Sequence, residues 1–558
     1  MSRLSVASAD KVNSTTEQLM KEFTQRIVAN PPGVCPVDMQ LAFLKVCHAQ
    51  TCGKCVPCRV GLGQLERLLE KVLDNEATME TLELIEETAE NIKNSADCAI
   101  GFESARMVLA GLEGFREDYI SHITDHRCLG SFEQPIPCVT LCPAHVDIPG
   151  YIALVREGRY EDAIRLIRKD NPFPTTCGFI CEHPCEALCR RNMIDDAVNI
   201  RGLKRMAADA AGYVVPPECA ESTGKNIAVV GGGPGGLSAA YFLQLMGHQV
   251  TVYEMLPKLG GMLRYGIPNY RLPKERLDDD IQAILDTGVK VDCGKAIGKD
   301  YSIVDLKEKY DAVLITIGAS TDKKLGLEGE DAKGVISAVQ FLRDVGHGTQ
   351  ESLEGKEVAV IGGGNVSMDA VRTSVRLGAK KVSIVYRRRV ADMTALSDEI
   401  SGAEAEGVEI KTLMAPSRIE KDEEGNVKGI WVTPQMISNI KGGRASVKPT
   451  GEDDVFIPCQ TLIVAIGQDI EYQHFEEAGV PVQRGKINVE KFGGFEEMPG
   501  VFAGGDCATG PSTVISAIAA GKVIAANIDE YLGYHHEITA DVEIPEPKLE
   551  DKPACGKS

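Results

Sequence analysis

Residues 226–236 read Asn-Ile-Ala-Val-Val-Gly-Gly-Gly-Pro-Gly-Gly. An apolar run of strand length feeds directly into Gly231, Gly233 and Gly236 at the G-x-G-x-x-G spacing. The first glycine allows a tight turn, the second lets a pyrophosphate approach the backbone, and the third lets helix pack on strand, with the helix N-terminus facing the phosphates. Alone this is a weak signal. Val250-Thr251-Val252-Tyr253-Glu254 adds a second strand whose final acid, about twenty residues on, is placed to accept ribose hydroxyls. Together they predict a parallel sheet that binds a dinucleotide, rather than a Gly-rich turn that merely packs.

The pattern recurs once. Glu357-Val358-Ala359-Val360-Ile361 runs into Gly362-Gly363-Gly364-Asn365-Val366-Ser367, with serine, still small, at the third glycine. The strand that follows, Lys381 to Tyr386, ends in Arg387-Arg388-Arg389 instead of an acid. A carboxylate there favours NAD, whereas guanidinium groups pair bidentately with a 2′-phosphate. NADP is therefore expected here, held by Gly362, Gly364, Asn365, Val366, Arg387 and Arg388, with Gly467 as a further contact. Three arginines as a mere solvated strand end would leave the missing acid unexplained.

Eleven of the eighteen cysteines lie between Cys52 and Cys189. Cys52, Cys55 and Cys58 form a C-x2-C-x2-C loop, and Cys98 follows in Asp97-Cys98-Ala99-Ile100-Gly101. Three thiolates on a short loop plus a remote fourth suit an iron–sulfur cubane. Four-cysteine zinc sites more often pair two separated C-x2-C knuckles. Leu62, Leu65, Leu68, Leu69, Val72 and Leu73 recur at helical spacing, so a small helical bundle is expected to hold the loop. Cys35 and Cys47 fall outside the pattern and read as buried thiols. The second group is Cys128, Cys138, Cys142, Cys177, Cys181, Cys185 and Cys189, in C-x3-C steps around a polar, helical stretch from Ile148 to Arg168. Cys293, Cys459 and Cys507 are isolated, and no C-x2-C lies between the two nucleotide motifs, which argues against a disulfide reductase of the thioredoxin-reductase kind.

Residues 35 to 115, with Cys-Gly-Lys-Cys-Val-Pro-Cys-Arg at 52–59, resemble the C-terminal cluster domain of the NADH-binding flavoprotein subunit of respiratory complex I and of related hydrogenase subunits. Cys142-Pro143-Ala144-His145-Val146-Asp147-Ile148 and Asn171-Pro172-Phe173-Pro174 resemble the cluster domain shared by the NADPH-dependent glutamate synthase small subunit, dihydropyrimidine dehydrogenase and the large subunit of the ferredoxin:NADP transhydrogenase. That resemblance implies two 4Fe–4S clusters drawing on both cysteine runs. The chain departs from it in two places. Where the family has two further cysteines spaced C-x2-C just upstream of the Cys138 position, this chain offers only Cys128, and Lys204 stands near the position of the family's Glu or Gln ligand, where an ammonium has no lone pair for iron. Cys177 with Cys142, Cys181 and Cys185 would complete one cluster; Cys128, Cys138 and Cys189 would need His126, Glu133 or His183. Two to three 4Fe–4S clusters are expected in all.

Gly260-Gly261-Met262-Leu263-Arg264-Tyr265-Gly266, with Arg271-Leu272-Pro273-Lys274, resembles the FAD signature of the same family, and Gly504-Gly505-Asp506 its second FAD element. The resemblance implies that Gly261, Met262, Arg264, Asp506 and Thr513, at the start of a helix, join Gly231 and Glu254 around FAD. The FAD fold is then split by the NADP fold. The fold class is α/β, two interleaved Rossmann-like domains preceded by two mainly α-helical iron–sulfur domains. Boundaries are expected as 1–120 and 121–216 for the cluster domains, 217–353 and 469–537 for FAD, 354–468 for NADP and 538–558 for a flexible tail.

The formal charge of −21 argues against nucleic-acid binding, and no apolar run reaches the length of a membrane span. Met1 to Lys21 lacks the basic-then-apolar order of a secretory leader, and reduced cysteines fit the cytoplasm. The expected function is electron transfer between NADPH, FAD and clusters to a partner, without a catalytic acid, base or nucleophile from the protein. The complex I resemblance implies an NADH-binding flavoprotein and a ferredoxin-like or 2Fe–2S subunit as partners, with ferredoxin in an electron-bifurcating transhydrogenase. The alternatives are the small subunit of a glutamate synthase and an NADPH flavoprotein with zinc-stabilised docking domains.

Overall fold

The computed structural model describes residues 35–126, 136–187, 189–193, 195–441, 444–490 and 492–545. Cys128, Glu133 and Cys555 lie outside them. The chain forms two compact units, one of residues up to His145 with His183–Ile200, the other of Val146–Glu182 with Arg201–Ile544. The stretch 121–216 contributes residues to both units.

In the first unit, helices α1 (Pro36–Ala49), α2 (Gly63–Leu73), α3 (Met79–Ser95), α4 (Ala99–Gly114) and α5 (Arg116–Thr124) make a bundle. The predicted apolar stripe is its spine. Leu62, Leu65, Leu68, Leu69 and Val72 are buried against Leu41, Leu44, Leu82 and Ile85, each such side chain contributing about 1.5–3 kcal/mol. A π-helical turn, Pro57–Leu62, carries Cys58 into α2. Thr78 caps α3 in a reciprocal capping box with Thr81.

The second unit begins with α6 (Ile148–Arg156), α7 (Tyr160–Arg168), α8 (Pro174–Ile180) and α9 (Ile200–Ala211). Gly158, at φ +74°, breaks the predicted helical stretch into α6 and α7. Gly178 is the contact between α8 and α9, since a Cβ there would lie 2.9 Å from the Arg205 Cα. The first nucleotide lobe follows, with β1 (Asn226–Val230), α10 (Pro234–Leu245), β2 (Gln249–Glu254), α11 (Lys274–Leu285), β3 (Lys290–Cys293) and β4 (Ala312–Ile315). The second lobe contains β5 (Val335–Ser337), α12 (Ala338–His347), β6 (Glu357–Ile361), α13 (Asn365–Arg376), β7 (Lys381–Tyr386), α14 (Ser397–Ala405), β8 (Glu409–Thr412) and β9 (Thr461–Val464). Between β8 and β9 runs an antiparallel sheet built on the long strand Val427–Lys441. The chain then returns to the first lobe through β10 (Val501–Ala503) and α15 (Val514–Tyr531).

Both main sheets are wholly parallel, ordered β10-β4-β1-β2-β3 and β5-β9-β6-β7-β8. Because β10 pairs with β4, Val501 opposite Val313, the first sheet is completed only after the second lobe. The strands are apolar on both faces, as parallel strands covered by helices must be.

Asp280 on α11 accepts the backbone N–H groups of Thr175 and Thr176, seating the start of α8 on the first lobe. Arg271 joins the two nucleotide lobes, pairing with Asp369 of α13 at 2.8 Å and Glu399 of α14 at 2.9 Å. Near the end of α15, Asp529 Oδ1 meets His248 Nε2 at 2.9 Å and His536 Nδ1 at 2.8 Å, and farther on Arg159 donates to the Glu543 carbonyl. The expected tail is therefore held as far as Glu543. Among the described residues no helix is long and apolar enough to cross a membrane.

Candidate nucleotide and iron–sulfur sites

The carboxyl end of the first sheet opens into a cavity lined by Gly231, Gly233, Glu254, Gly261, Met262 and Asp506. Gly231, at φ +109°, has room for no side chain, because a Cβ would stand 2.5 Å from the Thr316 carbonyl oxygen. Gly233 and Gly261 approach so closely that a Cβ on Gly261 would lie 2.8 Å from the Gly233 Cα. Gly236 lies behind this wall, packing α10 on β1. Glu254 is buried, and its Oε2 and Oε1 accept the N–H groups of Gly232 at 2.7 Å and Leu256 at 2.8 Å. It braces the glycine turn as well as facing the cavity, and burial raises its pKa.

Asp506 follows Gly505, at φ +72°, and burial pushes its carboxyl up to about 6. Thr513 caps α15 by accepting the Ser516 N–H, and the cavity wall does not include it. Arg264 departs from expectation. Its guanidinium is committed to the Leu259 carbonyl at 2.5 Å and to the Asp278 carboxylate, so it anchors the turn without lining the cavity. Lys274 supports the same turn, donating to the Leu263 and Ile267 carbonyls, and burial draws its pKa down to about 8.

Arg343 on α12 carries no sequence signal, since a lone arginine on an amphipathic helix has no local signature. It lines the cavity and donates from Nη2 to the Ser320 carbonyl at 2.9 Å, while its buried Nε has no hydrogen-bond partner among the described residues. A cofactor acceptor would satisfy that donor, so the residues present fit FAD.

In the second lobe Gly362, at φ +149°, begins the turn and Gly364 is the N-cap of α13, with no side chain bonding to the helix amides. A helix N-terminus without such a cap can receive a phosphate. Asn365 accepts the Leu396 N–H through Oδ1 and donates to Glu182, and Val366 packs into the lobe core. Of the arginine run, Arg389 is committed to Asp392 at 2.8 Å, Arg387 is exposed and Arg388 half-buried. Gly467, at φ +134°, lies beyond β9 and its carbonyl accepts the Lys323 N–H.

In the helical bundle Cys52 and Cys98 are exposed, Cys55 half-buried and Cys58 buried. Burial pushes Cys58 up to about 11, reinforced by the neighbouring Cys55, Cys98 and Cys52, so the four thiols share one neighbourhood. Cys98 is the N-cap of α4, where the helix dipole favours a thiolate. Gly101, one turn on, leaves Cys58 its place, for a Cβ there would stand 2.8 Å from Cys58 Sγ. A tetrahedral zinc needs four sulfurs about 3.8 Å apart. Among the described residues only His248, Asp529 and His536 bring three ligand atoms within 4.8 Å of one another, and these are hydrogen-bonded together. Cys35 meets His122 Nε2 at 3.2 Å, and burial raises the Cys47 pKa.

The second cysteine group is divided. Cys138, Cys142, Cys185 and Cys189 belong to the first unit, with Cys138 raised by burial and by the charge of Cys189. Cys177 and Cys181 belong to the second, where a hydrogen bond to Cys181 and burial both raise the Cys177 pKa. His183 pairs with Glu186 at 3.3 Å and His126 is exposed. Lys204 is buried, its ammonium 5.8 Å from the Tyr151 ring centre and its charge opposing the rise at Cys177. Cys507 is a packing thiol, wholly buried and donating to the Gly504 carbonyl.

Comparison with known proteins agrees with this architecture. The family model for pyridine nucleotide-disulphide oxidoreductases matches residues 225–521. That for the NADH-ubiquinone oxidoreductase-F iron–sulfur binding region matches 38–122, and that for dihydropyrimidine dehydrogenase domain II, 4Fe–4S cluster, matches 114–213. The beta subunit of NADP(+)-dependent formate dehydrogenase from Moorella thermoacetica is 34% identical over 91% of this chain and 81% of its own. The beta subunit of NADPH-Fe(3+) oxidoreductase from Geobacter sulfurreducens is 34% identical over 93% and 83%, and the small chain of glutamate synthase [NADPH] from Escherichia coli is 34% identical over 73% and 90%. In fold, the His57Gln mutant of FprA from Mycobacterium tuberculosis superposes with a TM-score of 0.50 at 21% identity, over 55% of this chain and 85% of that one. The chain therefore belongs to the pyridine nucleotide-disulphide oxidoreductase family, as an NADPH-dependent flavo-iron–sulfur oxidoreductase that carries two 4Fe–4S-binding domains ahead of its FAD and NADP folds.

Proposed function

We propose that this chain is the NADP(H)-facing subunit of a hetero-oligomeric redox complex and passes electrons singly to a partner polypeptide. The observation that carries the reading is the gathering of Cys52, Cys55, Cys58 and Cys98 at one site, with Cys52 and Cys98 exposed, since hydride exchange between NADPH and FAD needs no such centre. FAD, when bound, exchanges a hydride with the nicotinamide and single electrons with 4Fe–4S clusters.

The protein's own residues bind and orient. Gly231, Gly233, Gly261 and Asp506 seat FAD, with Arg343 supplying a cation. Gly362, Gly364 and Asn365 seat the NADP pyrophosphate, and Arg387 and Arg388 pair with the 2′-phosphate. Cys52, Cys55, Cys58 and Cys98 ligate one cluster, and Cys128, Cys138, Cys142, Cys177, Cys181, Cys185 and Cys189 supply one or two more. The names of the Moorella and Geobacter relatives, each a beta subunit, support placing the terminal chemistry in another polypeptide. The match to the NADH-ubiquinone oxidoreductase-F region favours a partner of NADH-binding flavoprotein type with a 2Fe–2S subunit, in a ferredoxin-linked, bifurcating transhydrogenase.

Two measurements test the reading. Anaerobic purification from the native source should yield the chain with a second redox polypeptide; a solitary chain holding stoichiometric zinc and no acid-labile sulfide would overturn it. In NADPH-driven reduction of ferricyanide, R387E with R388A should raise KM for NADPH by about 10- to 100-fold, as expected for loss of charge-assisted bonds to a phosphate. KM for NADH should change little, and equal loss with both nucleotides would sink the NADP assignment.

A further inference from the structure

Asn365 opens the helix that receives the NADP pyrophosphate, and its amide is held on two sides. Oδ1 accepts the Leu396 N–H at 3.0 Å, and Nδ2 donates to Glu182 Oε1 at 2.7 Å. Glu182 follows Cys181 directly in the chain, and the Cys181 carbonyl accepts from Arg201 at 3.2 Å, which fixes the loop. A carboxylate on a cysteine-bearing loop thus stands at the amide end of α13. That end carries the partial positive charge which draws an anion, and Glu182 already occupies part of its field. An incoming pyrophosphate meets a like charge there and must displace it or bind less tightly beside it.

We propose that Glu182 couples occupancy of the NADP site to the redox state of the centre ligated by Cys181. An electron added at that centre repels the Glu182 carboxylate towards α13, where it resists displacement by the pyrophosphate and weakens nucleotide binding. By reciprocity, bound nucleotide disfavours reduction of the centre. Glu182 is a positioning residue in this scheme, acting on the nucleotide through Asn365 and through its charge. The inference rests on the proposed roles of Cys181 and α13, and goes beyond them in naming what links the two.

The test uses the full chain with its cofactors and tetrahydro-NADP, an analogue of NADPH that transfers no hydride but carries the same phosphates. Its dissociation constant is measured anaerobically on oxidised and dithionite-reduced protein, for wild type, E182Q and E182D, each with FAD and iron contents verified. E182Q, which keeps the bond to Asn365 but removes the charge, should bind about two- to fivefold more tightly when oxidised, and should lose less affinity on reduction. E182D keeps the charge and should follow the wild type. Potentiometric EPR should show the analogue moving one cluster midpoint to more negative potential in wild type, and by less in E182Q. Equal dissociation constants in wild type and E182Q in both redox states, or equal midpoint shifts, would overturn the coupling alone. An analogue that binds neither protein would overturn the nucleotide assignment and the coupling with it.

Discussion

Lys204 shows how one side chain can change the character of a centre. A buried ammonium where the resembling family places a carboxylate or amide ligand cannot coordinate iron, but its charge acts on Cys177, whose pKa it opposes. A cation near a cluster favours the more negative, reduced state. Replacement by methionine, which keeps most of the volume and removes the charge, should lower the midpoint potential of one cluster by about 60 mV, equivalent to about 1.4 kcal/mol for a one-electron couple. EPR-monitored redox titration of K204M reads this, and an unchanged midpoint would place Lys204 outside the electrostatic reach of any cluster. The N-terminal thiols depend on a residue with no side chain at all, for Gly101 leaves the volume that Cys58 Sγ fills.

At the scale of elements, the two nucleotide lobes are joined through a buried charge network. Arg271 lies between Asp369 on α13 and Glu399 on α14, Arg372 pairs with the same Glu399 at 2.5 Å, and the Tyr270 ring lies 3.9 Å from the Arg376 guanidinium carbon. Removing one member leaves a buried charge without its partner, which costs about 3–5 kcal/mol. R271M should lower unfolding stability by that amount and lower kcat for NADPH-driven ferricyanide reduction while FAD remains bound. R271M combined with D369N should recover much of the stability, measured by denaturant titration, because the orphaned charge is gone. Arg271 was visible in the sequence as part of a signature, yet its partners were not. Asp369, Glu399 and Arg372 are spaced as ordinary helical charges, and only the packing of one lobe on the other shows what they meet. The same holds for Arg343 at the flavin cavity and Glu182 at α13. The glycine turns and cysteine runs could be read because their chemistry is fixed by local spacing, whereas partners brought together across lobes leave no periodic trace.

For the whole molecule, Asp280 ties the cysteine-bearing α8 to the first lobe, and burial pushes its carboxyl up to about 6. An unfolded aspartate titrates near about 3.9, so the folded protein holds this proton more firmly. The contribution of the group to stability is therefore fullest below about pH 4 and is lost as pH rises through about 6. Denaturant unfolding of anaerobic protein should show wild type losing stability relative to D280N between about pH 4 and 6, and a constant difference above that. A difference that does not change with pH would mean the carboxyl is ionised throughout. The two-sheet architecture could be read from two strand-turn-helix motifs and the distant Gly504-Gly505-Asp506 run. The division of the second cysteine run between two compact units could not, because residues close in the chain carry no mark of which body they join.

The pairing of Val501 with Val313 makes the flavin lobe dependent on its own far end. During synthesis, a ribosome that has released everything through the NADP lobe has still not delivered the edge strand β10 or the capped helix α15, and so neither Asp506 nor the outer wall of the cavity exists. FAD can be captured only once β10 and α15 have been made, by which time the nascent chain has already exposed all eleven clustered cysteines.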